Sequence, residues 1–277
     1  MLRQAIIPLA GLGTRLLPLS SVMPKELLPI NGKPNLEYLL EECIQAGIKE
    51  FIFIISKNKE AIKKYFFNDD FYKKIIKKKK DKKIFEAYKR IKKYQKMIKF
   101  VYQNNPKGTG DAILKCKKFI KSSHFAMLFP DDLIIKRNCT REMIKLHNRT
   151  NGSVISSKKV NKNDVSRYGI LSIKNKKKNY FQIKDVVEKP SINKSPSNYA
   201  IIGRYILPRK ILIKLKNLKP GQGGEVHITD AIKQLIDDGE KFYANIFKGK
   251  YLDCGTLSGY IKSGIEISKD QKWNFAW

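Results

Sequence analysis

The chain has 277 residues, 42% hydrophobic and 10% aromatic, which is enough for a large core and excludes a disordered chain despite 30% charged residues. Its charge is lopsided, with 57 Lys+Arg against 25 Asp+Glu and a formal net charge of +32. Only nine of those cations are arginine, whose planar fork grips phosphate and guanine bidentately, so the composition argues against a dedicated nucleic-acid binder. Lys, Asn, Ile, Phe and Tyr are all abundant, as A/T-rich codons produce, and the resulting surface should attract anions. Cys43, Cys116, Cys139 and Cys254 lie far apart without a C-x-x-C pair, so neither a zinc site nor a disulfide framework is expected. No apolar run has signal-peptide form or transmembrane length, and the expectation is a soluble cytoplasmic protein.

In chain order, "RQAIIPLA" (3–10) predicts a buried strand, "NLEYLLEECIQAGI" (35–48) an amphipathic helix ended by Gly47, and "EFIFIIS" (50–56) a second buried strand. The lysine-rich stretch 71–96 places Ile84, Tyr88 and Ile91 at helical spacing and predicts a basic helical excursion, not a base-stacking surface. Strands follow at 98–103, 124–130 and 152–160, with helices at about 108–120 and 138–149. Short apolar strands alternating with helices predict an α/β fold whose sheet is mostly parallel and covered on both faces. Beyond residue 160 the chain turns β-rich ("YGILSI", "YFQIKDVVEKP", "NYAIIGRYIL"), then predicts a helix at 228–238, a strand pair near 242–253 and a final helix at 256–269. The expected organisation is a single domain over 1–277, a Rossmann-like three-layer half (1–160) followed by a half adding a small β layer (161–277).

The loop after the first strand, "AGLGTRLLPLSSVMPKELLP" (10–29), is the most informative segment. A dinucleotide fingerprint needs a third glycine where Leu16 stands, and the phosphate loop G-x-x-x-x-G-K-[ST] is absent. What remains is a tight turn whose backbone N–H groups can face a phosphate, with Arg15 and Lys25 as two cations on one loop.

"AGLGTRLLP" followed by "PKELLPINGKP" resembles the signature of the sugar nucleotidyltransferases, and "EECIQAGI", "GTGDAIL", "FPDD", "RYGI", "VVEKP", "SPSNYAIIGRYIL", "GGEVHITDAI" and "YLDCGT" extend the resemblance over nearly all of 3–266. The P-K-E form is similar to members that use UTP and glucose-1-phosphate. The resemblance implies transfer of a uridylyl group with loss of pyrophosphate, assisted by Mg²⁺. A sister specificity for dTTP is the alternative, and a nucleic-acid-binding protein on a decayed enzyme fold a more distant one. The nucleophile of that chemistry is already an anion, so no general base is required, and His124, His147 and His227 are expected to be structural.

By the same resemblance, Ala10, Gly11 and Gly13 hold the nucleotide through backbone groups while Arg15 and Lys25 face the triphosphate. Gln103 reads the uracil edge, since an amide can pair with a carbonyl and an N–H, and Gly108 makes a second base contact. Asp131 matches a magnesium-binding aspartate and Asp253 a second metal-side carboxylate. Glu188 accepts glucose hydroxyls, Lys189 holds the sugar phosphate, Gly169 and Gly203 lie against the sugar, and Glu225 falls in a matching motif. A homo-oligomer, dimer or tetramer, is implied, with no specific nucleic acid or membrane partner. One departure stands out: "GTGDA" puts Asp111 where the family usually has histidine, close to the nucleotide side.

Overall fold

The computed structural model describes residues 2–269. Strand β1 (Gln4–Pro8) runs into the glycine loop, and a small hairpin, β2 (Pro29–Ile30) and β3 (Lys33–Pro34), leads to helix α1 (Asn35–Gln45) and strand β4 (Glu50–Ile55). Helices α2 (Glu60–Phe67), α3 (Asp69–Lys79) and α4 (Lys82–Gln95) precede β5 (Ile98–Tyr102), α5 (Thr109–Lys115), β6 (His124–Leu128), β7 (Asp132–Ile135), α6 (Cys139–Thr150) and β8 (Ser153–Lys159). The remainder is β9 (Gly169–Lys176), β10 (Tyr180–Glu188), β11 (Tyr199–Pro208), α7 (Ile211–Asn217), α8 (Ile228–Asp237), β12 (Phe242–Ile246), β13 (Lys250–Asp253) and α9 (Leu257–Ser268).

Nine strands form one sheet in the order β5-β4-β1-β6-β11-β8-β12-β10-β9. The run β5-β4-β1-β6 is parallel, as the apolar strands predict. β11 then lies antiparallel between β6 and β8, and β10 antiparallel between β12 and β9, so the sheet is mixed. Strands from before and after residue 160 interleave, and no break in the sheet separates two halves. The two strands expected near 242–253 exist but do not pair with each other. β12 joins the main sheet parallel to β8, while β13 pairs antiparallel with β7 in a separate two-stranded sheet.

Side chains alternate across the pleat and feed two cores. Ala5, Ile7, Phe51, Phe53 and Leu128 face α1, α2, α4 and α6; Ile6, Ile52, Ile54, Phe125 and Met127 face α5, α7 and α8. Both faces are therefore dry, which explains unbroken apolar strands rather than alternating ones. The lysine-rich excursion is a pair of helices. Lys80, in the left-handed region at φ 52°, ends α3, and the Asp81 side chain caps α4 by accepting from the Lys83 and Ile84 amides. Ile91 and Tyr94 bury its apolar face, and Arg90 Nε, 2.8 Å from Glu37 Oε2, ties it to α1.

Candidate active site

The carboxyl ends of β1, β5 and β6 open into a cavity of about 460 Å³. β1 is the point where the chain order reverses, with β4 and β5 on one side and β6 on the other, which is where open α/β sheets place ligands. Ala10, Gly11, Arg15, Lys25, Gln103, Gly108, Asp131, Lys189, Glu225 and Asp253 all line this cavity, although the sequence spreads them over more than two hundred positions. Gly13, Gly169, Glu188 and Gly203 do not line it.

The glycine loop has a physical division of labour. Gly13 adopts φ 71°, a left-handed conformation that favours glycine, and its carbonyl accepts from the Leu16 amide, which opens a 3-10 turn at Thr14–Leu16. Leu16 is buried and anchors the turn, leaving Arg15 60% exposed over the cavity. At Gly11 nothing of the protein would meet a Cβ, so its backbone faces open cavity. Further along the loop, the turn at Lys25–Leu27 sends consecutive side chains in opposite directions. Glu26 is buried and accepts from Lys59 Nζ at 2.7 Å, while Lys25 Nζ donates to Asp131 Oδ2 at 2.5 Å. Burial pushes the Lys25 pKa down, but the Asp131 and Glu26 carboxylates outweigh it and raise it. Burial likewise pushes Asp131 up, but Lys25 wins and holds it below its ordinary value. Both groups are charged at neutral pH.

Asp253 reaches the same place from β13. The Cys254 amide donates to the Asp131 carbonyl at 2.7 Å, and a Cβ placed on Gly255 would lie 3.0 Å from Asp131 Oδ2 and 3.2 Å from Asp253 Oδ1. The two carboxylates thus converge on one point. Among the described residues no group of three or more His, Cys, Asp or Glu side chains could hold a metal by itself. Two converging carboxylates suit Mg²⁺, which keeps several ligand positions for water and substrate phosphates.

Gly108, at φ 99°, has the Val226 backbone 2.6 Å from where a Cβ would sit. The Gly110 amide donates to the Val226 carbonyl and the Val226 amide to the Lys107 carbonyl, each at 2.8 Å, which staples "KGTGDA" to "GGEVHITDA" and brings Glu225 to the rim. Gln103 is buried and follows β5, its amide N–H donating to the Ile55 carbonyl. Behind the opposite wall, Glu188 ends β10 facing Gly169 of β9, and its Oε2 accepts from Thr229 Oγ1 at 3.0 Å. Lys189 then takes φ 43°, unusual outside glycine, and its ammonium lies 3.7 Å from Glu188 Oε1. Gly203 lies beneath the "FPDD" turn: its amide donates to Asp132 Oδ2 at 3.0 Å and its carbonyl accepts from the Phe129 amide at 2.8 Å. Gly203 therefore sits under residues of the cavity wall, while Gly169 packs against Ile201, Glu188 and Thr229, which do not line it.

Asp132, Arg167, Tyr168 and Tyr251 are among the lining residues that were not assigned from the sequence. Asp132 accepts from the Tyr251 hydroxyl at 2.6 Å, and burial followed by the neighbouring Asp131 charge pushes its pKa up to about 6. Strand alternation points it away from Asp131, but β13 folds over it and brings Tyr251 with it. Arg167 Nη2 lies 3.8 Å from Asp253 Oδ2, and the Tyr168 carbonyl accepts from the Lys189 amide at 3.1 Å. The available signal was Arg167 itself, one of nine arginines in a lysine-rich chain and adjacent to "YGI". Beneath the wall, fully buried Arg204 donates to Glu42 Oε2 from Nε at 3.3 Å and Nη2 at 3.0 Å, and to the Phe129 carbonyl from Nη1 at 2.9 Å. This pair braces the turn that carries Asp131.

A cavity at the switch point, with cations on a glycine loop and paired carboxylates opposite, is nucleotidyl-transfer architecture, and comparison with known proteins agrees. The profile of the nucleotidyl transferase family matches residues 4–270, and the chain belongs to that family. It is a nucleotidyltransferase by sequence over nearly its whole length. The UTP–glucose-1-phosphate uridylyltransferase of Mycoplasma pneumoniae is 38% identical over 269 residues, covering 95% of this chain and 91% of the relative. That of Bacillus subtilis is 36% identical over 273 residues, covering 98% and 92%. A UDP-glucose pyrophosphorylase solved with UDP-glucose superposes with a TM-score of 0.86 at 33% identity, covering 97% of this chain and 99% of the other. The UTP-bound UGPase of Acinetobacter baumannii gives 0.87 at 31% identity, covering 99% and 96%.

Proposed function

We propose that this nucleotidyltransferase transfers the uridylyl group of UTP to glucose-1-phosphate, giving UDP-glucose and pyrophosphate. The observation that carries the reading is the convergence of Arg15, Lys25, Gln103, Asp131, Lys189 and Asp253 on one cavity, together with relatives of that activity over almost the full chain. An oxygen of the sugar phosphate attacks the α-phosphorus in line, one O–P bond forms, the bond to the β-phosphate oxygen breaks, and no proton moves. Catalysis then consists of alignment and charge neutralisation.

In this reading the backbone at Ala10 and Gly11 lies along the nucleotide, with Gly13 shaping the turn. Arg15 and Lys25 take up charge on the departing pyrophosphate. Gln103 and Gly108 meet the uracil, Lys189 grips the sugar phosphate, and Glu188 and Glu225 face sugar hydroxyls, with Gly169 and Gly203 leaving room for the wall behind them. Asp131 and Asp253 would hold Mg²⁺, which when bound neutralises phosphate charge. Among the described residues no helix is long and apolar enough to cross a membrane. The test is product analysis: incubation with UTP, glucose-1-phosphate and Mg²⁺ yields UDP-glucose and pyrophosphate in equal amounts. UTP hydrolysis without UDP-glucose would overturn the assignment.

A further inference from the structure

Asp111 is a carboxylate on the nucleotide side of the cavity, and its position in the fold gives it a role. It lies in the first turn of α5 and faces Gln103, whose Nε2 donates to Asp111 Oδ2 at 2.6 Å and lies 3.4 Å from the Gly108 carbonyl. Lys115, one turn on, sits 3.8 Å from Asp111 Oδ1 and steadies the carboxylate. Gln103 is only 4% exposed, lines the cavity, and has no donor bonded to Oε1 among the described residues, yet that oxygen is not sealed from solvent.

An isolated glutamine amide can turn over and present either its carbonyl or its NH₂ to a ligand. Here both neighbours on one side, the Asp111 carboxylate and the Gly108 carbonyl, carry lone pairs and no proton. Turning the amide over would set oxygen against oxygen in a buried place, where an unpaired polar contact is costly. The NH₂ is therefore held inward and the carbonyl faces the cavity.

We propose that Asp111 is a positioning residue that fixes the Gln103 amide with its oxygen toward the base, so that the site selects pyrimidines carrying an N3–H. Uracil and thymine donate N3–H to that oxygen. Cytosine presents a bare N3 lone pair and is repelled. This rests on the reading of the cavity as a pyrimidine nucleotide site and adds the device that sets its selectivity. It also gives the carboxylate a partner other than the triphosphate.

The experiment compares kcat/KM for UTP, dTTP and CTP in the wild type, Asp111→Asn and Asp111→Glu. The asparagine can donate as well as accept, which frees Gln103 to turn over. In that variant the UTP/CTP ratio falls by about tenfold or more, while the UTP/dTTP ratio holds because both bases keep the N3–H. Asp111→Glu, still acceptor-only, keeps the wild-type UTP/CTP ratio. A merely structural role would lower all three substrates alike, and an unmoved UTP/CTP ratio in Asp111→Asn overturns the proposal. Should that variant fail to fold, Asp111→Ser, which also donates, carries the same measurement. A wild type that makes no UDP-glucose from UTP overturns the functional reading and this inference with it. A wild type that does, with the ratio unmoved in the variant, overturns this inference alone.

Discussion

Replacing Lys25 by methionine keeps the length and apolar stem of the side chain and removes one charge. In the structure that charge is 2.5 Å from Asp131 Oδ2, with 17% and 18% of the two side chains exposed, so the pair is largely but not wholly dry. The nearest remaining cation is Arg15, at 4.0 Å and 60% exposed, too far and too wet to compensate. Two consequences follow. Loss of one preorganised charge opposite a developing anion costs about 3–4 kcal/mol of transition-state stabilisation, a fall of roughly 10²–10³-fold in kcat. The folded protein loses about 1–3 kcal/mol, below the cost of breaking a fully buried pair because water reaches Asp131. Steady-state pyrophosphate release at saturating UTP and glucose-1-phosphate reads the first, and urea denaturation the second. A Lys25→Met protein with kcat within about twofold of wild type would refute the placement of Lys25 opposite the leaving group, because the electrostatic term requires a far larger loss.

Arg204→Leu leaves Glu42 buried without its cation and should cost about 3–5 kcal/mol in urea denaturation, with activity reduced because the Phe129 carbonyl loses its donor. Gly203→Ala places a methyl 2.8 Å from Phe129 and closer still to Asp132. Overpacking of that kind costs about 1–3 kcal/mol, and displacement of the turn should lower kcat more than it changes KM for UTP. Chelation should abolish turnover and added Mg²⁺ restore it, with Asp131→Asn raising half-saturating Mg²⁺ by about tenfold or more. An Asp131→Asn enzyme with an unchanged Mg²⁺ response would exclude Asp131 as a ligand.

The parallel part of the sheet is legible because strands buried on both faces must be apolar throughout, and Ile6, Ile7, Phe51, Phe53 and Phe125 are. Antiparallel insertion of β11 is not, since a buried strand reads the same in either direction. β12 and β13 are close in sequence yet pair with β8 and β7, a choice that long-range packing makes. Arg15, Lys25, Asp131, Lys189, Glu225 and Asp253 are picked out by motifs, whereas Asp132 and Arg167, which line the same cavity, are not. Nor are the supports: Arg204 and Glu42 are 162 positions apart, and "IGRYIL" alone gives no reason for a fully buried arginine. Gly203 illustrates the difference, because a glycine that keeps a strand clear of Asp132 and Phe129 looks in sequence like any glycine near a ligand. Asp111 is visible in "GTGDA", but its partner is visible only when α5 is folded against the end of β5.

The central claim is uridylyl transfer from UTP to glucose-1-phosphate by the cavity that Lys25, Asp131 and Lys189 line, and kcat/KM for pyrophosphate release with UTP, dTTP, CTP, ATP and GTP tests it most directly. UTP should give the highest value, with the purine nucleotides and CTP far below. Turnover with dTTP equal to or better than with UTP, or no pyrophosphate from UTP and glucose-1-phosphate, would contradict it.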